Sequence, residues 1–87
     1  RFLAKSIVRV EHDHGVMSGQ LVNISLHGLC IETAAKARID DHVVVRIEGL
    51  PARSATVRWL GHGMMGLHFE MPMSFSDLAR WLEKHQD

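Results

Sequence analysis

The sequence contains a single cysteine, Cys30, so no disulfide can form within it. A thiol set in an apolar strand pattern reads as buried and inert, as suits a reducing cytoplasm. No apolar run approaches the length of a membrane span, and no secretory leader is visible. Nor is there a surplus of charge: ten Lys and Arg stand against ten Asp and Glu. A general nucleic-acid binder would carry a basic excess, and a single-strand-binding barrel would interleave it with aromatics. This chain has three Phe and two Trp in all, which argues against both. Neutrality still leaves room for one small anion in a local basic pocket. Also missing are a nucleophile–base pair and a phosphate-cradling glycine loop, so an enzyme is not expected. His12-x-His14 has the look of a metal pair but lacks an acidic or thiol third ligand at a motif spacing. It reads as turn surface, and no metal or other cofactor is expected.

What is present is enough for one compact domain over residues 1–87, which can be a piece of a longer chain since it begins at Arg1 rather than Met. Ser6–His12 alternates, with Val8 and Val10 on one side and Arg9 and Glu11 on the other, the pattern of a half-buried strand. Asp13-His14-Gly15 reads as a turn and Val16–Ile24 as the returning strand. Leu29–Thr33 makes a third strand. Ala34–Asp41 is read as a connection. Val43–Ile47 is β-branched and strand-like. Ser54–Leu60 predicts a further strand in which Ala55, Val57 and Trp59 share a face. Gly61-His62-Gly63 turns tightly into Met64–Glu70, where Leu67 and Phe69 point one way and His68 the other. Met64 and Met65 read as packing residues. Such short strands, broken at regular intervals by turns, predict a small all-β, six-stranded antiparallel barrel, since closure hides pairing edges.

The period changes over about 75–85. Ser74 can cap a helix, with Asp77 three residues on completing a capping box. Phe75, Leu78, Trp81 and Leu82 fall on one stripe of that C-terminal helix. Burying the stripe as a lid on the barrel is worth about 1.5–3 kcal/mol per large side chain. Offering it to a protein partner is the other use.

The chain is organised around Leu21–Glu32, where apolar residues enter and leave a polar knot, Asn23, Ser25 and Gly28, spaced N-x-S-x-x-G. Asn and Ser side chains stabilise turns through nearby backbone, and Gly28 can take a positive φ. Such a turn would hold an amide and a hydroxyl at the rim of a sheet, free to meet a polar ligand. An ordinary hairpin loop would read the same on pattern alone.

The N-x-S-x-x-G run between hydrophobic strands resembles the [D/N]-x-S-x-x-G signature of PilZ domains, small bacterial β-barrels of split-barrel type, many of which bind cyclic di-GMP. A-T-V-R-W at 55–59 followed by G-L-H-F at 66–69 resembles the family's paired late strands. The order of strands around the turn, closed by a terminal helix, is similar to the PilZ domain from end to end. The family's second motif, R-x-x-x-R, lies just before the first strand. One alignment uses Arg1 and Lys5. The preferred one makes Arg1 the second arginine, followed by Phe2, Ala4, Ile7, Val8 and Val10, with the first lying upstream of the residues given.

The resemblance implies a binding domain in which Arg1, Asn23, Ser25 and Gly28 hold cyclic di-GMP. Lys5, His27 and Trp59 stand in a second tier. The types suit the ligand, which carries two phosphodiester charges and two guanines. Arginine forks onto phosphate or the O6/N7 edge of guanine and stacks on a purine, while Lys5 could neutralise charge without copying the fork. Asn23 and Ser25 offer directional hydrogen bonds. In the family, ligand orders the arginine arm against the barrel and changes the surface shown to a neighbouring domain or protein. A ligand-free adaptor working through protein contacts is the alternative, and it predicts no response to nucleotide and an exposed apolar patch.

Overall fold

The computed structural model describes residues 5–85. Six strands, β1 (Ile7–His12), β2 (Gly15–Ile24), β3 (Gly28–Glu32), β4 (His42–Ile47), β5 (Arg53–Gly61) and β6 (Met64–Phe69), precede one helix, α1 (Phe75–His85). They close into a barrel in the order β1-β2-β3-β6-β5-β4, and every neighbouring pair is antiparallel. The seam between β1 and β4, with Val8 opposite Ile47 and Val10 opposite Val45, leaves no free edge.

Period-two alternation decides which side chains fill the barrel. Val8, Val10, Ile24, Ile31, Ala55, Val57 and Met65 are fully buried, with Leu67 and Phe69 beside them. The β5–β6 hairpin turns on His62 (φ 56°) and Gly63 (φ 74°), the paired left-handed residues that match the twist of a two-residue turn. Residues 34–41 form an irregular connection, as expected, tied off where the Arg38 amide donates to the Asp41 carboxylate at 3.0 Å.

The helix closes the barrel with three of its four stripe residues, Leu78, Trp81 and Leu82. Trp81 also donates its indole N–H to the Glu48 carbonyl at 2.8 Å, which locks the helix to the β4–β5 turn. Phe75 does not join them. It is 70% exposed at the first position of the helix, and Met71, four residues earlier in the chain, is 74% exposed. The Ser74 hydroxyl accepts from the Asp77 amide at 3.2 Å, so the N-cap forms as expected, and the Asp77 carboxylate takes Arg80 at 2.6 Å. Ser74→Ala should therefore lower stability by about 1 kcal/mol. A denaturation midpoint unchanged from the parent would contradict that role for the hydroxyl.

Two irregularities in the ladder bear on the site. The β2–β3 register shifts between Leu21 and Asn23, and the β5–β6 register shifts between Val57 and Trp59. Each inserts one extra residue, Val22 or Arg58, and so reverses the inside–outside phase of the strand beyond it. Trp59 therefore does not share the face of Ala55 and Val57 as the alternation predicted. It turns to the outer surface and remains 42% exposed.

Candidate functional site

The two bulges act on the same patch of the outer wall. After Val22 the phase change sends Ile24 into the core and leaves Asn23 half-buried outside. After Arg58 it places Trp59 outside, opposite Gly66. In register, Asn23 faces Cys30, Cys30 faces Gly66 and Gly66 faces Trp59, so one outward row crosses four strands. The indole lies flat over Gly66, where an added Cβ would overlap it. Cys30 is buried as expected, but on this outer face rather than in the core, flanked by the core residues Leu29 and Ile31.

The polar knot forms the upper edge. The Ser25 amide donates to the Gly28 carbonyl at 2.9 Å, closing the turn. The Ser25 hydroxyl lies 3.4 Å from that same carbonyl and 3.3 Å from the His27 amide. Both hydroxyl contacts are long, so they guide the turn while remaining exchangeable for a ligand. The turn is pinned from behind, the Phe69 amide donating to the His27 carbonyl at 2.8 Å and the Met73 amide to the Leu26 carbonyl at 2.7 Å. Gly28 is required for a different reason from the one its pattern suggested. It is not among the positive-φ residues; instead a Cβ there would overlap the backbone carbonyl of Leu67 on β6.

Together these elements enclose a cleft of about 230 Å³. Five of the seven residues singled out by sequence, Asn23, Ser25, His27, Gly28 and Trp59, line it. Lys5 is exposed on the leading segment and does not line it, and Arg1 lies outside the described residues. The Leu21 amide donates to the Ser6 carbonyl at 2.9 Å, so the chain enters the barrel at the Asn23 end of β2.

Two further polar contributors, Arg58 and His68, were not singled out by sequence reasoning. Arg58 is the bulged residue of β5, and His68 stands opposite Gly28 with its ring stacked near that of His27, centroids 6.4 Å apart and planes 13° from parallel. The outward phase of His68 was readable from its alternation with Leu67 and Phe69. Nothing in the pattern announced its neighbour across the sheet. The cleft thus carries a guanidinium and two imidazoles, with no carboxylate among the described residues that line it. A larger cavity of about 760 Å³ opens between the β1–β2 turn and the 36–42 connection. There Lys36 and Arg38 are offset by Asp13, Asp40 and Asp41, and no aromatic beyond histidine offers a stacking face. Among the described residues no group of three or more His, Cys, Asp or Glu could hold a metal ion, and no helix is long and apolar enough to cross a membrane.

The model of the PilZ domain matches residues 1–84 of the 87. The chain belongs to the PilZ family. Its six-stranded barrel and terminal helix are the fold that the resemblance implied, and PilZ domains generally serve as cyclic di-GMP-binding effector modules rather than enzymes. No curated protein and no solved structure matches this PilZ domain. In it the N-x-S-x-x-G turn, the A-T-V-R-W strand and the G-L-H-F strand, far apart in sequence, meet at a single cleft.

Proposed function

We propose that this PilZ domain is a cyclic di-GMP receptor that binds its ligand on the outer barrel wall, between the leading arm and the Asn23–Gly28 turn, and passes the signal on as a change of surface. The observation that carries the reading is the make-up of the cleft: an outward indole, a carboxamide, a hydroxyl and a guanidinium, with no carboxylate, on an otherwise neutral molecule. Trp59 supplies a face for a purine, and Asn23 and Ser25 supply donors and acceptors for guanine edges or phosphate oxygens. The cleft has room for a base or a phosphate rather than a whole cyclic dinucleotide. The remainder must lap over the outer wall, where the described chain enters the barrel beside the Asn23 end of β2. Arg1 then covers the ligand with its planar fork.

The adaptor reading needs an exposed apolar surface, and the helix stripe that could have provided one is buried except for Phe75. The receptor reading is tested by thermal unfolding of the chain carrying its natural upstream residues. Cyclic di-GMP at about a hundredfold over Kd should stabilise the domain by about 2.7 kcal/mol, raising Tm by roughly 15 °C. Cyclic di-AMP, which lacks the guanine O6 acceptor, should do much less. A Tm indifferent to high micromolar cyclic di-GMP would refute the receptor reading.

A further inference from the structure

We infer that Arg58 and the paired imidazoles of His27 and His68 form a phosphate-recognising subsite, so that the barrel wall grips a phosphodiester of the ligand together with the arm. The inference rests on the receptor reading and goes beyond it by assigning the phosphate to residues outside the two signature motifs.

Three independent elements bring these groups to one rim. His27 sits in the 25–28 turn, whose carbonyl at residue 27 accepts from the Phe69 amide at 2.8 Å, so the turn is fastened to β6 immediately beside His68. His68 projects outward from β6, and the two rings lie nearly parallel, 6.4 Å apart. Arg58 stands on the β5 bulge, in the same cleft. Bulges commonly re-aim a side chain toward a site, and here the extra residue is the cleft's guanidinium. Two imidazole edges and one guanidinium fork at a single rim suit a tetrahedral anion, which accepts from several directions at once.

The charges around the pair are few. From β5 come Arg58 and the neutral Thr56, which stands opposite both His68 and His42. His42 on β4 lies 3.5 Å from Glu70, just beyond the end of β6. Below lies the buried Cys30 thiol, and Asn23 and Ser25 on the near side are uncharged. The Glu70 carboxylate lies beside His42 and does not line the cleft. A phosphate seated there accepts from the two ring edges and from the Arg58 fork together, with no carboxylate among the described lining residues to repel it.

The test is calorimetric titration of cyclic di-GMP into the chain with its natural upstream residues. The natural sequence should bind roughly tenfold more tightly than the double variant His27→Gln, His68→Gln. Arg58→Ala should weaken binding about tenfold, with Arg58→Lys recovering part of it. All three side chains are exposed, so unliganded denaturation midpoints should stay near that of the natural sequence. A double histidine variant that binds as tightly as the natural sequence overturns the subsite and leaves the receptor reading standing. An Arg58→Ala variant that binds as tightly as the natural sequence does the same. No binding of cyclic di-GMP by the natural sequence overturns both.

Discussion

Gly28→Ala should destabilise the barrel by about 2–4 kcal/mol, a large share of the roughly 5–15 kcal/mol that holds a small domain together. The reason is steric and local. The new methyl would overlap the Leu67 carbonyl, a backbone atom that cannot swing aside. Gly28 begins the β3–β6 ladder opposite His68, with Leu29 opposite Leu67 next in line. Relief requires the strands to part at the point where Ser25, His27 and Phe69 are bonded together. Ligand affinity should fall with stability, since the edge of the cleft moves. Gly61→Ala serves as the control, because a Cβ at Gly61 meets nothing within 4 Å. Urea midpoints at unchanged m-value measure both. Equal, small losses in the two variants would contradict the close-approach argument.

Arg1→Ala should weaken cyclic di-GMP binding at least about tenfold while leaving the unliganded denaturation midpoint unchanged. Among the described residues the core runs from Val8 to Leu82, and the barrel closes by pairing β1 with β4. Arg1→Lys should recover only part of the affinity, because an ammonium restores charge without the bidentate fork or the stacking plane. Calorimetry on the chain with its natural upstream residues reads both effects. Full affinity in Arg1→Ala would remove the arm from the account and leave the cleft to act alone.

Much of this architecture was legible in the sequence. Alternation at Val8 and Val10, at Val43, Val45 and Ile47, and at Leu67 and Phe69 placed three strands with their inward faces, because each buries one face and exposes the other. The change of period at Ser74 placed the helix and its cap. Where alternation failed, the failure had a single physical origin. A bulge adds a residue without any distinctive composition, so Val22 and Arg58 looked like ordinary strand residues, and Trp59 was assigned to the face of Ala55 and Val57. The same two phase changes put Asn23 and Trp59 on the outer wall, so the strand irregularities that alternation could not show help to build the cleft. Gly28 shows a second kind of limit. That a glycine was needed could be seen from the turn, but the carbonyl it makes room for belongs to a strand about forty residues away in sequence and is set by tertiary pairing. His27 and His68 are separated in the same way, and only strand pairing makes them neighbours.

The central claim is that one outward cleft, assembled by two bulges, receives the cyclic dinucleotide. Amide and indole chemical shifts followed by NMR during a cyclic di-GMP titration test it most directly. The account predicts that the largest changes fall on Asn23, Ser25, His27, Gly28, His68 and the Trp59 indole N–H, with residues 36–42 nearly still. Changes concentrated instead around His14, Lys36 and Asp41, or none at saturating nucleotide, would contradict it.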